Sequence, residues 1–284
     1  MNKIVAAITI GILAIVAFVY FTMDFPFSLD RKDFEEEYTI QQKWDLPKRL
    51  EEISGMDFID DERMAAIQDE EGIIFIYNLT SKKIEREIKF GKSGDYEGFA
   101  IVRNDAFVLR SDGVLFEVKD YLGKNPKVTE HKTFIKAKHN AEGLCADLKN
   151  NRLLLAVKDR DPLSNNTKGI YAFDLKSKKL LKTPAFAIDL KDPIFEEVKT
   201  KNKLTVMMPS EVKIHPKTGD VYITDARNPK LLILSPDGRS KKLYLLKREK
   251  FYQPEGIAFR KNGALFISNE GHSDPANILE VELQ

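Results

Sequence analysis

After about residue 36 the chain alternates between short apolar runs and tight polar turns, without a long stretch of 3.6-residue helical periodicity. A representative pair of runs lies at 255–259 and 264–268, separated by a turn that ends in Asn262-Gly263. Short apolar runs bounded by Gly, Asn, Asp and Pro are typical of antiparallel strands. The pattern predicts an all-β fold for this part of the chain.

The strand pairs recur as a repeated unit. Its five copies open at residues 54, 97, 142, 211 and 255, so that three of the steps are 43–45 residues long and one is 69. Further strands often follow the first two, as at 73–77 and 169–173. Four strands repeating at this interval are typical of the blades of a β-propeller.

The spacing of the copies favours five blades. The long step exceeds the others by about 25 residues, too few for another four-stranded blade, which predicts an insertion around 192–203. Six blades remain possible if this insertion contains strands. The last copy has 30 residues before the chain ends and is one strand short, and residues 37–44 can supply that strand. We therefore expect an N-terminal strand to close the ring, which removes both sheet edges.

The N-terminal segment differs from the rest. Residues 4–23 carry no charge, and as a helix they would span roughly 30 Å, the thickness of a bilayer core. The run is longer than a typical signal-peptide core and lacks a small-x-small cleavage pattern, which favours an uncleaved anchor over a cleaved signal or a buried helix. The predicted organisation is a transmembrane signal-anchor at 1–23, a tether at 24–35 and a propeller at 36–284, outside the cytoplasm.

Composition argues against a nucleic-acid partner and excludes two kinds of cysteine site. Lys and Arg total 45 and Asp and Glu total 44, so the net charge of +1 argues against a nucleic-acid partner. The single cysteine, Cys145, excludes an intrachain disulfide and a multi-cysteine zinc site. Because Cys145 lies within an apolar strand, we expect it to be a core residue.

Three stretches resemble the blades of SdiA-regulated (YjiK-like) proteins: Gln253-Pro254-Glu255-Gly256 with the strand that follows, Pro209-Ser210-Glu211 with its strand, and Asp95-Tyr96-Glu97-Gly98. The resemblance covers about residues 36–284. It implies a β-propeller on the outer side of the bacterial inner membrane. Esterase-like phytases and NHL-type propellers have similar blade signatures, so the resemblance implies an architecture more than an activity.

The copies all open at one end of the central channel, which we call the channel mouth. Four of them place a glutamate there (Glu97, Glu142, Glu211 and Glu255), and Ser54 takes the fifth position. Gln68, Ser111, Asp225 and Asn269 follow at a spacing of 14, and Lys158 and Asp159 fall near the matching place in the third blade. Glycine follows the opening residue in four copies, which predicts close backbone approach.

Carboxylates this close together raise one another's pKa, and a hard cation would relieve the repulsion. Ca²⁺ accepts about six to eight oxygen ligands in flexible geometry. The sequence therefore predicts Ca²⁺ or a similar cation bound by Glu97, Glu142, Glu211 and Glu255. Further ligand contacts are expected at the mouth from Ser54, Asp225, Asn269 and Glu270. The alternative is that each glutamate bonds backbone N–H groups of the adjacent blade and fastens the ring.

Two functions follow. The first is a binding module that holds a divalent cation and a small-molecule or protein ligand. The second is a metal-dependent hydrolase of phosphoesters or lactones that uses the same carboxylates. The sequence has no G-x-S-x-G nucleophile elbow and no nucleotide-binding glycine motif. His139 and His272 either reach the mouth as proton carriers or lie on surface loops.

Overall fold

The computed structural model describes residues 35–284. The predicted anchor at 1–23, and the predicted tether except for its last residue, lie outside the described residues. Within 35–284, no helix is both long and apolar enough to span a bilayer. These residues form five antiparallel sheets of four strands each, which are the blades of a β-propeller.

Strand β1 (Tyr38–Asp45) is the first strand of the described residues and belongs to the last blade. The first blade contains β2 (Ile53–Phe58), β3 (Arg63–Gln68), β4 (Ile73–Asn78) and β5 (Lys83–Lys89). The second contains β6 (Tyr96–Val102), β7 (Asp105–Arg110), β8 (Leu115–Lys119) and β9 (Lys127–His131). The third contains β10 (Ala141–Asp147), β11 (Arg152–Val157), β12 (Thr167–Asp174) and β13 (Lys179–Asp189). The fourth contains β14 (Glu211–Ile214), β15 (Val221–Asp225), β16 (Lys230–Leu234) and β17 (Ser240–Leu245).

The last blade is completed by the N-terminal strand. Its strand order is β1, β20 (Asn277–Leu283), β19 (Leu265–Asn269) and β18 (Pro254–Phe259). In the β1–β20 pair, Tyr38 lies opposite Leu283 and Trp44 opposite Ile278. The indole of Trp44 also donates a 3.0 Å hydrogen bond to the carbonyl of Leu79 in the first blade. Five blades and the closing strand are thus confirmed.

The long step between the third and fourth blades is an insertion. Residues 190–210 contain two short 3₁₀ turns, Pro193–Phe195 and Lys203–Thr205, and no strand. Phe195 and Met207 from this insertion are buried in the core between the third and fourth blades, together with Cys145. The six-blade alternative is therefore excluded, and Cys145 is a core residue as expected.

The innermost strands of neighbouring blades approach closely at the predicted glycines. A Cβ atom added to Gly98 would lie 2.5 Å from the carbonyl oxygen of Glu142, and one added to Gly143 would lie 2.7 Å from the backbone nitrogen of Val212. Contacts this short leave no room for a side chain, which is why glycine stands there. The close approach keeps the channel narrow and brings the side chains at the mouth together.

Candidate cation site at the channel mouth

Glu142 and Glu255, near the starts of β10 and β18, share one ammonium group. Lys158 follows β11 directly, and its Nζ lies 2.8 Å from Oε1 of Glu142 and 3.9 Å from Oε1 of Glu255. Asn140 donates a further hydrogen bond of 2.7 Å to Oε1 of Glu142. The Oε2 atom of Glu142 is buried and has no hydrogen-bond partner among residues 35–284. A lysine side chain thus contacts two of the carboxylates for which the sequence predicted a metal ion.

The charges of these three groups depend on one another. Burial raises the pKa of Glu142 well above its ordinary value, and the charge of Glu255 raises it further, whereas Lys158 lowers it. Burial also raises the pKa of Glu255, and Lys158 again opposes this effect. Burial alone would lower the pKa of Lys158, but Glu255 and Glu142 raise it above the ordinary value. Lys158 is therefore charged at neutral pH and favours the ionised carboxylates beside it.

Other acidic side chains surround this centre. Burial raises the pKa of Glu97 to about 9, and the charge of Glu255 contributes to the shift. Burial and Glu255 also raise the pKa of Glu270 to about 8. Burial and neighbouring acidic groups raise the pKa of Asp69 to about 7. The mouth therefore carries more carboxyl groups than Lys158 can neutralise.

Glu211 has a different role. Its Oε1 accepts hydrogen bonds of 2.8 Å from the backbone N–H groups of Leu144 and Val212. Because Leu144 belongs to β10, Glu211 fastens the fourth blade to the third. Burial raises the pKa of Glu211 to about 8, while Lys213 lowers it. The fastening alternative thus describes this residue.

Lys213 lies on β14, two residues after Glu211, and joins four blades. Its Nζ donates hydrogen bonds to the carbonyls of Phe99 at 2.9 Å and Leu144 at 3.2 Å, and lies 3.6 Å from Oδ2 of Asp57. Burial disfavours its charge, but Asp57 and Glu211 raise the pKa of Lys213 above its ordinary value. The sequence analysis missed this residue. Its spacing from Glu211 could have identified it, because side chains two residues apart on a strand lie on the same face of the sheet.

Two of the other predicted ligand contacts have partners within the fold. The hydroxyl of Ser54 donates a 2.7 Å hydrogen bond to the carbonyl of Tyr96 and so fastens the first blade to the second. The carboxylate of Asp225 forms a fully buried ion pair of 2.5 Å with Lys230. Its two oxygens also accept hydrogen bonds from two backbone N–H groups. Both side chains therefore have structural contacts.

Asn269 and Glu270 lie at the end of β19 and directly after it. The amide nitrogen of Asn269 donates a 3.0 Å hydrogen bond to Asn277, but its Oδ1 is buried without a hydrogen-bond partner in the described part of the chain. Glu270 accepts a hydrogen bond from the side chain of Gln253. Asn269 thus retains an oxygen that a ligand can use.

The two histidines differ in exposure. His139 is buried, and its Nδ1 accepts a 2.9 Å hydrogen bond from the backbone of Lys136, so it is not a surface-loop residue. Burial lowers the pKa of His139 below its ordinary value. His272 is exposed and stacks on Tyr252 with 4.7 Å between ring centroids.

The four predicted metal ligands are thus divided between two kinds of environment. Glu142 and Glu255 contact Lys158, Glu97 lies close enough to interact with both electrostatically, and Glu211 bonds backbone groups. Over residues 35–284, no three or more His, Cys, Asp or Glu side chains are arranged so that they could hold a metal ion. A metal at the mouth would require Lys158 to move away from the carboxylates.

The family model for SdiA-regulated proteins matches residues 32–273, most of the chain. The chain belongs to the SdiA-regulated family. No curated protein sequence matches this SdiA-regulated protein at a significant level.

Solved structures share its fold. The glutaminyl cyclase of Myxococcus xanthus aligns with a TM-score of 0.59 at 17% identity, covering 87% of this chain and 96% of that chain. A structural genomics protein from Bacteroides thetaiotaomicron aligns with a TM-score of 0.50 at 10% identity, covering 86% and 76%. At these identities the similarity shows a common propeller fold alone.

The stability of this SdiA-regulated protein is expected to fall as the pH rises from about 5 to about 8. Folding raises the pKa of Glu97 to about 9 and those of Glu211 and Glu270 to about 8. Between the ordinary carboxyl pKa and these values the folded chain binds more protons than the unfolded chain, so a rise in pH favours unfolding. Thermal melts from pH 5 to pH 9 measure the effect.

Glu97→Gln keeps a neutral side chain at every pH. The substitution is expected to stabilise the protein by about 1–3 kcal/mol at pH 8 and by much less at pH 5. Glu130→Gln, on the exposed outer strand β9, is the matched control and should leave the pH profile unchanged. A profile that rises from pH 5 to pH 8 would contradict the raised pKa values.

Proposed function

We propose that this protein is a membrane-anchored, extracytoplasmic binding module whose channel mouth binds a divalent cation of the Ca²⁺ type. The observation that carries the proposal is the environment of Glu255. Its side chain is only 7% exposed, and its ion-pair contact with Lys158 is long, at 3.9 Å. Burial raises its pKa, and Lys158 opposes this effect only in part. A buried carboxylate with a distant counter-charge is unfavourable, and a bound cation would compensate it.

The atoms around Glu255 support a hard cation. Glu97 and Glu142 carry carboxylate oxygens, and Oε2 of Glu142 and Oδ1 of Asn269 are buried without hydrogen-bond partners in the described residues. Oxygen donors of this kind suit Ca²⁺, which tolerates irregular geometry better than Mg²⁺ does. A divalent cation would also reduce the repulsion that raises the pKa of Glu97.

The location rests on the N-terminal sequence. The uncharged run at 4–23 has the length of a single membrane span, and the family resemblance implies the bacterial inner membrane. The propeller would then face the periplasm, tethered through residues 24–35.

A cavity beside the mouth supports a small-molecule ligand over a protein. Its volume is about 450 Å³, and Leu190, Leu204 and Met208 provide apolar lining. Asp159, which follows Lys158 directly, also lines it. Apolar cavities of this size with a few polar groups are typical of small-molecule sites. The ligand would lie next to the bound cation.

Ca²⁺ is expected to raise the melting temperature of the full-length protein in detergent. At a concentration of about 100 Kd, ligand binding adds about 2.7 kcal/mol of stability, which corresponds to roughly 5–10 °C for a domain of this size. Glu255→Gln should abolish the shift, and Glu130→Gln should retain it. The absence of a shift in the wild-type protein at millimolar Ca²⁺ would overturn the proposal.

The second candidate is a metal-dependent hydrolase of phosphoesters or lactones. It is favoured by Glu97, whose pKa burial raises to about 9, so that this carboxyl group keeps its proton at neutral pH and can act as a general acid. The same samples should be assayed with p-nitrophenyl phosphate and a simple lactone. Ca²⁺-dependent hydrolysis that Glu255→Gln removes supports the enzyme, and Ca²⁺ binding without hydrolysis supports the binding module.

A further inference from the structure

Lys158 lies where a bound cation would have to lie. Its Nζ is 2.8 Å from Glu142 and 3.9 Å from Glu255, the two buried carboxylates on which cation binding depends. The ammonium group therefore supplies part of the charge compensation that a ligand would supply. A cation cannot contact both carboxylates closely while this ammonium group stays between their oxygens, because the like charges repel and compete for the same oxygen atoms.

The backbone of Lys158 is held in place. Its N–H donates a 2.8 Å hydrogen bond to the carbonyl of Asn140, and its own carbonyl accepts a 2.6 Å hydrogen bond from Lys168. Lys168 is itself buried, and it also donates to the carbonyl of Asp159. The end of β11 is thus fixed, and any movement of the ammonium group must come from side-chain torsions.

The side chain of Lys158 borders solvent. It is 19% exposed, whereas the side chains of Glu142 and Glu255 are 2% and 7% exposed. A lysine has a flexible four-carbon stem, and its ammonium group is strongly hydrated in water. Rotation of this stem toward solvent would therefore release both carboxylates without a change in the blades.

We infer that Lys158 is a built-in competitor of the cation that the channel mouth binds: it neutralises the carboxylates in the empty site and moves out when the ligand enters. This inference rests on the proposed cation binding. Suppose that a ligand binds only when the ammonium group of Lys158 has rotated toward solvent. Its apparent Kd then equals its intrinsic Kd divided by the fraction of molecules in that state. Lys158 thereby weakens cation binding and favours divalent ions, whose larger charge replaces its own.

Isothermal titration of full-length protein in detergent with Ca²⁺ tests this inference. Lys158→Met keeps the stem and removes the charge, and it should bind Ca²⁺ at least about 10-fold more tightly than the wild-type protein. Lys158→Gln, a second neutral variant, should also bind Ca²⁺ more tightly than the wild-type protein. It keeps the inference testable if Lys158→Met does not fold. Thermal melts of each variant verify that it is folded.

The matched control is Lys138→Met. Lys138 is exposed in the short 3₁₀ turn before β10, and removing it changes the local charge without uncovering the carboxylates. Its Kd for Ca²⁺ should stay within about 2-fold of the wild-type value, because the charge of an exposed side chain is screened. An equal gain in Lys138→Met would mean that net charge alone sets the affinity, and it would overturn the role of Lys158.

The remaining outcomes separate this inference from the proposed function. If the wild-type protein binds Ca²⁺ and both Lys158 variants bind it equally or more weakly, Lys158 is not a competitor, although the mouth binds cations. If Ca²⁺ binds neither to the wild-type protein nor to the folded Lys158 variants, cation binding itself is refuted. Binding detected only in the Lys158 variants would show that Lys158 blocks the carboxylates, and it would overturn cation binding by the wild-type protein.

Discussion

Lys213→Met is expected to destabilise the propeller by about 3–5 kcal/mol, because removing one partner from a buried charge cluster leaves the others uncompensated. The substitution removes the hydrogen bonds to Phe99 and Leu144 and leaves the carboxylates of Asp57 and Glu211 without their buried cation. For a domain of this size the loss corresponds to a melting temperature lower by roughly 10 °C. Thermal and urea unfolding at pH 7 measure it.

A rescue variant separates charge from packing. In the double variant Lys213→Met with Glu211→Gln, the glutamine oxygen can still accept the N–H groups of Leu144 and Val212, and the side chain is neutral at every pH. Part of the lost stability should return. Lys242→Met on β17 is the control; it removes a lysine paired with Glu37 at the surface, where the two side chains are 42% and 47% exposed, and should cost less than about 1 kcal/mol. Wild-type stability in Lys213→Met would show that the ammonium group does not hold the blades together.

Asp225→Asn is expected to cost a similar amount, about 3–5 kcal/mol, through a different buried pair. Asp225 and Lys230 are both fully buried and lie 2.5 Å apart. An asparagine presents an NH₂ group toward either Lys230 or a backbone N–H donor, so that two donors meet without an acceptor. Denaturant unfolding measures the loss, and Asp237→Asn at an exposed pair is the matched control.

The same variant tests whether Asp225 contributes to ligand binding. Because its two oxygens already accept hydrogen bonds from the fourth blade and from the insertion before it, the Ca²⁺ affinity of folded Asp225→Asn should stay close to the wild-type value. A large loss of affinity with little loss of stability would instead assign Asp225 to the ligand, as the sequence pattern predicted. The double variant with Lys230→Met should recover part of the stability, because it removes the buried cation that has lost its carboxylate partner.

The contacts around the channel explain why these residues matter to the ring. Ser54 joins the first blade to the second, Glu211 joins the fourth to the third, and Lys213 reaches three other blades. Trp44 lies on the closing strand, the outermost strand of its blade, and bonds the first blade there. The blades are thus held by buried polar contacts near the axis and at the closing strand, in addition to the apolar layers between them.

Much of the architecture could be predicted from the repeat. The blade openings, the insertion and the closing strand follow from local strand and turn patterns, which are encoded within a few residues. The close approach at Gly98 and Gly143 followed from the recurrence of glycine after each opening residue. The candidate site was predicted less completely. The position of a residue within the repeat shows where its side chain lies, but it does not show which group that side chain contacts.

The sequence by itself determined a propeller of about five blades, its closing strand and the set of acidic residues at one end of the channel, because strand period, turns and repeat spacing are local properties. Only the tertiary structure decided what each acid contacts. Glu211 bonds a residue 67 positions away, and Lys213 bonds one 114 positions away. Ring closure brings such distant residues together, so whether a carboxylate contacts Lys158, a backbone N–H or no donor depends on the packed blades.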